Sequence, residues 1–262
     1  MKKMKWLFIV IVSCCFISCL DTVEQLDIKE NGSGTLNMNM DMGKAAEMMK
    51  GFMAPEELAK EKLDRVIDTT IMMKDVVDTA TKITPERKAL LRNGKMHLVM
   101  NLANNILKMD MSYPYQSQAQ LTQIYAALQD GGMNMGSMMQ ALGGGDNDAG
   151  NPTPGGADAG DNNPSQLSNV YDITVTANQY KRVLNKERYQ KMMSNPKIEE
   201  AKGMSSMMGE MNYTIALNLP RAIKKVSNPK AVVSNDKKNV MLKTDLFSIF
   251  DHPELLELTV DY

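Results

Sequence analysis

A period-two alternation of apolar and polar residues recurs along this chain and dictates extended structure wherever it occurs. Leu36, Met38, Met40 and Met42 alternate with Asn37, Asn39 and Asp41. Successive side chains of a strand point to opposite faces, so such a run has one face to bury and one to leave in water. The alternation returns in Met96, Leu98, Met100 and Leu102, and again in Leu107, Met109, Met111 and Tyr113. It returns once more in Met211, Tyr213, Ile215, Leu217 and Leu219. One apolar face per strand is the pattern of an antiparallel sheet covered on a single side.

Turn residues fall between these runs. Leu26 and Ile28 precede Asn31-Gly32-Ser33-Gly34, which predicts a hairpin. Ala103-Asn104-Asn105 predicts a second, and Asn235 to Lys238, between Ala231–Ser234 and Val240–Leu246, a third. Pro114 and Pro220 are expected to stop their strands, since proline lacks the donor N–H. Tyr171, Ile173 and Val175 predict a short strand, and Leu256, Leu258, Val260 and Tyr262 a terminal one. Leu121, Ile124, Tyr125 and Leu128 repeat with helical spacing, so 117–129 reads as an amphipathic helix. Residues 55–92 read as mostly helical, with Pro55 at a helix start and Thr84 as an N-cap. Within them the β-branched stretch Val66 to Met73 could form a strand. Residues 178–193 read as helix.

Ten of the seventeen glycines lie between Gly131 and Gly160, with Pro152, Pro154 and Pro164 nearby. Such a stretch buries too little apolar surface to order itself, so 131–168 is expected to be a flexible Gly/Met/Asp-rich linker. The expected class is α+β, with antiparallel β-hairpins and interspersed amphipathic helices. The organisation is a signal at 1–18, an α+β region at 19–130, the linker, and a second α+β region at 169–262 that could share one domain with the first.

Processing is written at the N-terminus. Lys2, Lys3 and Lys5 precede an apolar run from Trp6 to Ile17, the charged-then-apolar order of a secretory signal. The run is too short for the roughly 20 residues of a membrane-spanning helix. Phe16-Ile17-Ser18-Cys19 resembles a bacterial lipobox, with Ile11-Val12-Ser13-Cys14 as a rival. Cys19 gives a signal of ordinary length with polar sequence directly after it, whereas cleavage before Cys14 would leave an apolar Cys-Cys-Phe-Ile start. All three cysteines lie in the first 19 residues, so cleavage before Cys19 leaves one thiol, and the resemblance implies that it is lipidated. No disulfide or cysteine metal site then remains. Removing Lys2, Lys3 and Lys5 lowers the basic count from 30 to 27 against 31 acidic residues, a charge of −4. Anchoring would therefore come from acyl chains and not from a basic patch. The near-balanced charge gives no electrostatic footprint for nucleic acid.

Methionine is 25 of 262 residues. Thioethers suit Cu(I), and Met204, Met207, Met208 and Met211, like Met133, Met135, Met138 and Met139, are clustered. The same enrichment in plain strands at Met38, Met40, Met109 and Met111 argues for core packing instead, with Met207, Met208 and Met211 on one helix face. Ser194-Asn195-Pro196-Lys197 and Ser227-Asn228-Pro229-Lys230 have the spacing of an acyl-serine site, but Lys243-Thr244-Asp245 lacks the glycine its partner motif needs. Asp146-Asn147-Asp148 falls short of a calcium loop. His97 and His252 are the two histidines, and neither has a partner visible in sequence. No cofactor is expected.

The lipobox at Cys19, Asn31-Gly32-Ser33-Gly34-Thr35, Asp68-Thr69-Thr70-Ile71-Met72-Met73-Lys74 and Leu219 to Asn228 together resemble envelope lipoproteins of the Bacteroidota type. More distantly, the chain resembles LppM-like lipoprotein domains. The resemblance implies residence in the cell envelope, and Leu20 after the cysteine points to the outer membrane. Asp-Thr at 21–22, 68–69 and 78–79 resembles the O-glycosylation acceptor of that lineage. The expected function is a non-enzymatic, membrane-anchored module that binds a lipid or protein partner, with periplasmic Cu(I) binding as the alternative.

Overall fold

The computed structural model describes residues 20–60, 64–79, 83–129, 169–196, 198–199, 202–203 and 210–262. The signal with Cys19, the expected linker at 131–168, and Met204, Met207 and Met208 lie outside these residues. The protein is α+β, as the alternation and helical spacing predict.

The first hairpin joins β1 (Leu20–Ile28) to β2 (Gly34–Asp41). Its turn closes through Lys29 N–H donating to the Ser33 carbonyl at 2.8 Å. Gly32 sits at φ +80°, a conformation open to glycine at no steric cost. Two helices, α1 (Gly43–Phe52) and α2 (Pro55–Lys60), lead to β3 (Ile67–Met72). The β-branched stretch is therefore a strand, followed by α3 (Met73–Thr79) and α4 (Pro85–Leu91). Thr84 stands at the N-cap of α4, but its side chain makes no capping hydrogen bond. The second hairpin joins β4 (Lys95–Asn101) to β5 (Ile106–Tyr115), turning at Asn105 with φ 56°. β5 runs through Pro114, against expectation. β4 pairs with it only as far as Ser112, so at Pro114 one side of the strand has no neighbour to receive the missing N–H. α5 (Gln118–Gln129) follows.

The C-terminal half adds β6 (Tyr171–Val175) and β7 (Gln179–Leu184), then α6 (Lys186–Met193). The helical reading of 178–193 thus fails over its first half. Tyr180 and Arg182 alternate inward there, and an inward arginine hides the strand period from a search for apolar residues. β8 (Met211–Asn218), β9 (Lys225–Val226), β10 (Val232–Val233), β11 (Asn239–Asp245), α7 (Ser248–Asp251) and β12 (Leu258–Asp261) complete the described chain.

Among the described residues the strands form two sheets. The larger has the order β10-β11-β8-β1-β2-β5-β4-β3, and the smaller β6-β7-β12-β9. Every pairing is antiparallel except β1 with β8, which aligns Leu20 with Met211 and Asp27 with Asn218. Segments 19–130 and 169–262 therefore contribute to one sheet. The inner face of the large sheet carries the methionines in cross-strand rows: Glu24, Met38, Met111, Met96 and Ile71 form one, and Thr22, Met40, Met109, Leu98 and Thr69 the next. Tyr171, Ile173, Tyr180, Leu258 and Val260 of the small sheet, with Val77, Leu91 and Leu121 of the helices, belong to the same buried core. The small sheet and the helices α3 to α5 thus cover one face of the large sheet. Met40, Met96, Met109 and Met111 are each under one-tenth exposed, filling the space between these layers as an unbranched side chain can.

Candidate functional site

Two polar arrangements stand out, one on each face of the large sheet. The inner one is a buried ion pair between layers. Glu24 breaks the apolar phase of β1, pointing inward with Leu26 and Ile28, and is 1% exposed. Arg182 does the same on β7 and is fully buried. Arg182 Nη1 donates to Glu24 Oε2 at 2.8 Å, Tyr213 Oη to the same oxygen at 2.5 Å, and Tyr125 Oη to Oε1 at 2.7 Å. The guanidinium lies 4.6 Å from the Tyr171 ring centroid and 5.6 Å from that of Tyr213. Large sheet, small sheet and α5 therefore meet at one carboxylate.

The electrostatics follow from this geometry. Burial by itself raises the Glu24 carboxyl, but the Arg182 charge and the three hydrogen bonds prevail and hold it below its ordinary value of 4.5. Burial, then the Glu24 charge, push the Tyr125 and Tyr213 hydroxyls well up. Arg182 is lowered by burial and raised more by Glu24, so the pair stays ionised. Tyr180 Oη, Arg182 Nε and Arg182 Nη2 make no hydrogen bond of acceptable geometry, although the guanidinium is near enough to act on the Tyr180 hydroxyl. A buried, ionised, aromatic-lined pair of this kind ties the layers together.

The outer face of the large sheet from β8 to β3 is mostly polar, with Ala216, Val23, Val99 and the half-exposed Met72 interspersed. Asp27 receives Gln25 Nε2 at 3.2 Å, Asn37 Nδ2 at 3.3 Å and a hydrogen bond from Asn218 Nδ2. Beyond the row of Gln25, Asn37, Ser112, Lys95 and Met72, another runs Val23, Asn39, Asp110, His97 and Thr70. Asn39 Nδ2 donates to Asp110 Oδ1 at 2.7 Å. His97 Nε2 lies 2.9 Å from Asp68 Oδ1, and its Nδ1 3.8 Å from Asp110 Oδ2. Side chains of Asn37, Asn39, Lys95, His97, Asp110 and Ser112 line a depression of about 260 Å³. The His97 side chain is 41% exposed, so the row meets solvent. The two carboxylates flank opposite ring nitrogens and do not converge on one point. No group of three metal-ligating side chains occurs among the described residues.

The sequence candidates scatter. His97 stands on the polar face of β4, opposite the methionines, and the structure brings it the partners that sequence did not reveal. His252 ends α7 before Pro253, its Nδ1 3.2 Å from Glu254 Oε1. Met211 is 2% exposed and opens a strand, so it shares no helix face with Met207 and Met208 as expected. Ser194 caps the C-terminus of α6 and its Oγ donates to the Lys191 carbonyl, a turn role. Ser227 Oγ accepts from Thr259 N–H at 2.8 Å, also structural. Thr22 is 6% exposed on the inner face, so the first O-glycosylation pattern is closed in the folded protein. Sequence reading missed Glu24 and Arg182, whose signal is a charge in phase with apolar neighbours on a strand. No helix of the described residues is long and apolar enough to cross a membrane. Comparison with protein-family models, curated proteins and solved structures finds no match to this chain.

Proposed function

We propose that this chain is an envelope lipoprotein, anchored through Cys19 at the outer membrane, that acts as a non-enzymatic binding module. The observation that carries the binding reading is the asymmetry of the large sheet. One face is closed by the small sheet and helices, and the other presents a largely polar surface with the Asn39–Asp110–His97 depression.

The chemistry of that face favours a water-soluble protein partner over a lipid. Its lining brings amide, carboxylate, ammonium, imidazole and hydroxyl groups beside Met111, and the many hydrogen-bonding groups suit the polar atoms of a protein surface. The apolar alternative lies between α4 and α5, where Ala89, Leu90, Ala126 and Ala127 line a depression of about 430 Å³. It is open to solvent and does not enclose a chain. Nothing among the described residues favours Cu(I) over core packing for the methionines.

Two measurements test this reading. The mass of the protein extracted from membranes is expected to match a chain starting at Cys19 with acyl chains attached. A start at Cys14, or an unmodified thiol, overturns the anchor assignment. A photo-crosslinking residue at Ser112 is expected to trap a discrete protein in cells, and Asp110→Lys to abolish the product. Equal trapping from Lys186 on α6 would overturn the assignment of the face.

A further inference from the structure

The large sheet has two ends, and the register tells them apart. Leu20 opens β1 beside Met211 at the start of β8. Asp21 aligns with Asp41, Asp41 with Lys108, Lys108 with Val99, and Val99 with Asp68. The starts of β1, β3, β5 and β8 and the ends of β2 and β4 therefore share one end, and the 29–33 turn lies at the other. Cys19 directly precedes Leu20 in the chain. One trans peptide unit places their Cα atoms about 3.8 Å apart, so an acyl group on Cys19 reaches the sheet without a spacer.

One large apolar side chain at this end is open to solvent. Val66, next to the start of β3, is 69% exposed. Leu58, Ile67 and Leu107 lie half-buried over a small separate core of Ala46, Met100 and Leu102. Phe247 is half-buried beside Leu246, whose N–H donates to the Met211 carbonyl at the start of β8. The carboxylates here have local partners: Lys108 Nζ lies 3.1 Å from Asp41, and Asp245 accepts from Ser248 N–H and Oγ. Glu47 and Lys50 of α1 and Glu56 and Glu57 of α2 are exposed here too, so the rim carries both signs of charge and no excess of cations, which fits a zwitterionic surface reached through a lipid anchor; the exposed Val232, Val233 and Met241 lie toward the other end.

We propose that this end of the large sheet rests on the bilayer headgroups, with Val66 at the contact and the strands rising from the membrane. The inference depends on the anchoring of Cys19 proposed above. At about 3.3 Å per residue the eight-residue β2 spans about 26 Å, which sets the height of the 29–33 turn. The polar outer face then stands across the membrane plane and faces the periplasmic or external solution from base to tip.

The test uses the full chain, purified from membranes after processing and reconstituted in phosphatidylcholine vesicles with a headgroup-linked quencher. The mature protein has no thiol besides Cys19, so single sites are clean. Val66→Cys and Glu30→Cys, each carrying a fluorophore, report the two ends. A label at 66 is expected to be quenched several-fold more than one at 30. Equal quenching, or stronger quenching at 30, overturns the orientation. Ala103→Cys, in the turn at the same end, provides a second site should the Val66 variant fold poorly. Mass spectrometry of each sample separates the two failures. An acyl-free Cys19 ends the anchor reading and this one with it, whereas a lipidated chain without the depth difference ends the orientation alone.

Discussion

Glu24 is the residue on which the layers converge, and its removal is informative in two ways. Glu24→Gln keeps the volume but leaves the fully buried Arg182 without its counter-charge. Breaking one side of a buried pair costs about 3–5 kcal/mol, so urea unfolding of this variant should show a loss of that size. Replacing both, with Glu24→Met and Arg182→Met, should recover much of it, because no buried charge is then left uncompensated. The pH dependence has a definite sign. The folded carboxyl titrates below 4.5, its ordinary value, so folding is favoured fully above that pH. As the pH falls below it toward the folded value, this contribution is lost. Urea midpoints followed from neutral pH downward should fall in the native protein, and Glu24→Gln should lack this part of the decline.

At the scale of elements, the hairpins are tight and the methionine rows are core. A Cβ at Gly34 would collide with the Asp27 carbonyl oxygen and the Tyr115 hydroxyl, which themselves hydrogen bond at 2.7 Å. Gly34→Ala should therefore cost about 1–3 kcal/mol, as forced overpacking does, read as a lowered melting temperature. Met96 is fully buried between Met111 and Ile71. Met96→Ala should cost about 2–5 kcal/mol, whereas Met96→Leu should cost less than about 1.5 kcal/mol. A methionine retained for its sulfur would not tolerate leucine, so the contrast separates packing from metal binding. The hairpins β1–β2, β4–β5 and β10–β11 are legible in sequence because their alternation and turn residues lie within a few positions of one another. β7 is not, because its inward Arg182 looks like a surface residue until Glu24 is placed against it.

For the whole molecule, the parallel pairing of β1 with β8 is decisive. It joins the N-terminal and C-terminal halves of the chain in one sheet. It also creates the site geometry: Glu24 hydrogen bonds to Tyr213, 189 positions away, and to Arg182, 158 positions away. Likewise Asp68 reaches His97 only because β3 and β4 are paired. What the sequence by itself determined is the class of fold, the faces of the long strands, the main turns and the inward placement of the methionines of β2, β4 and β5. Those properties follow from backbone periodicity and turn stereochemistry, which act over a few residues. Only the tertiary structure decided which charges are buried together and which face of the sheet stays open. Each of these rests on contacts between residues far apart in the chain, where burial sets the energy of a charge and no local pattern records its partner.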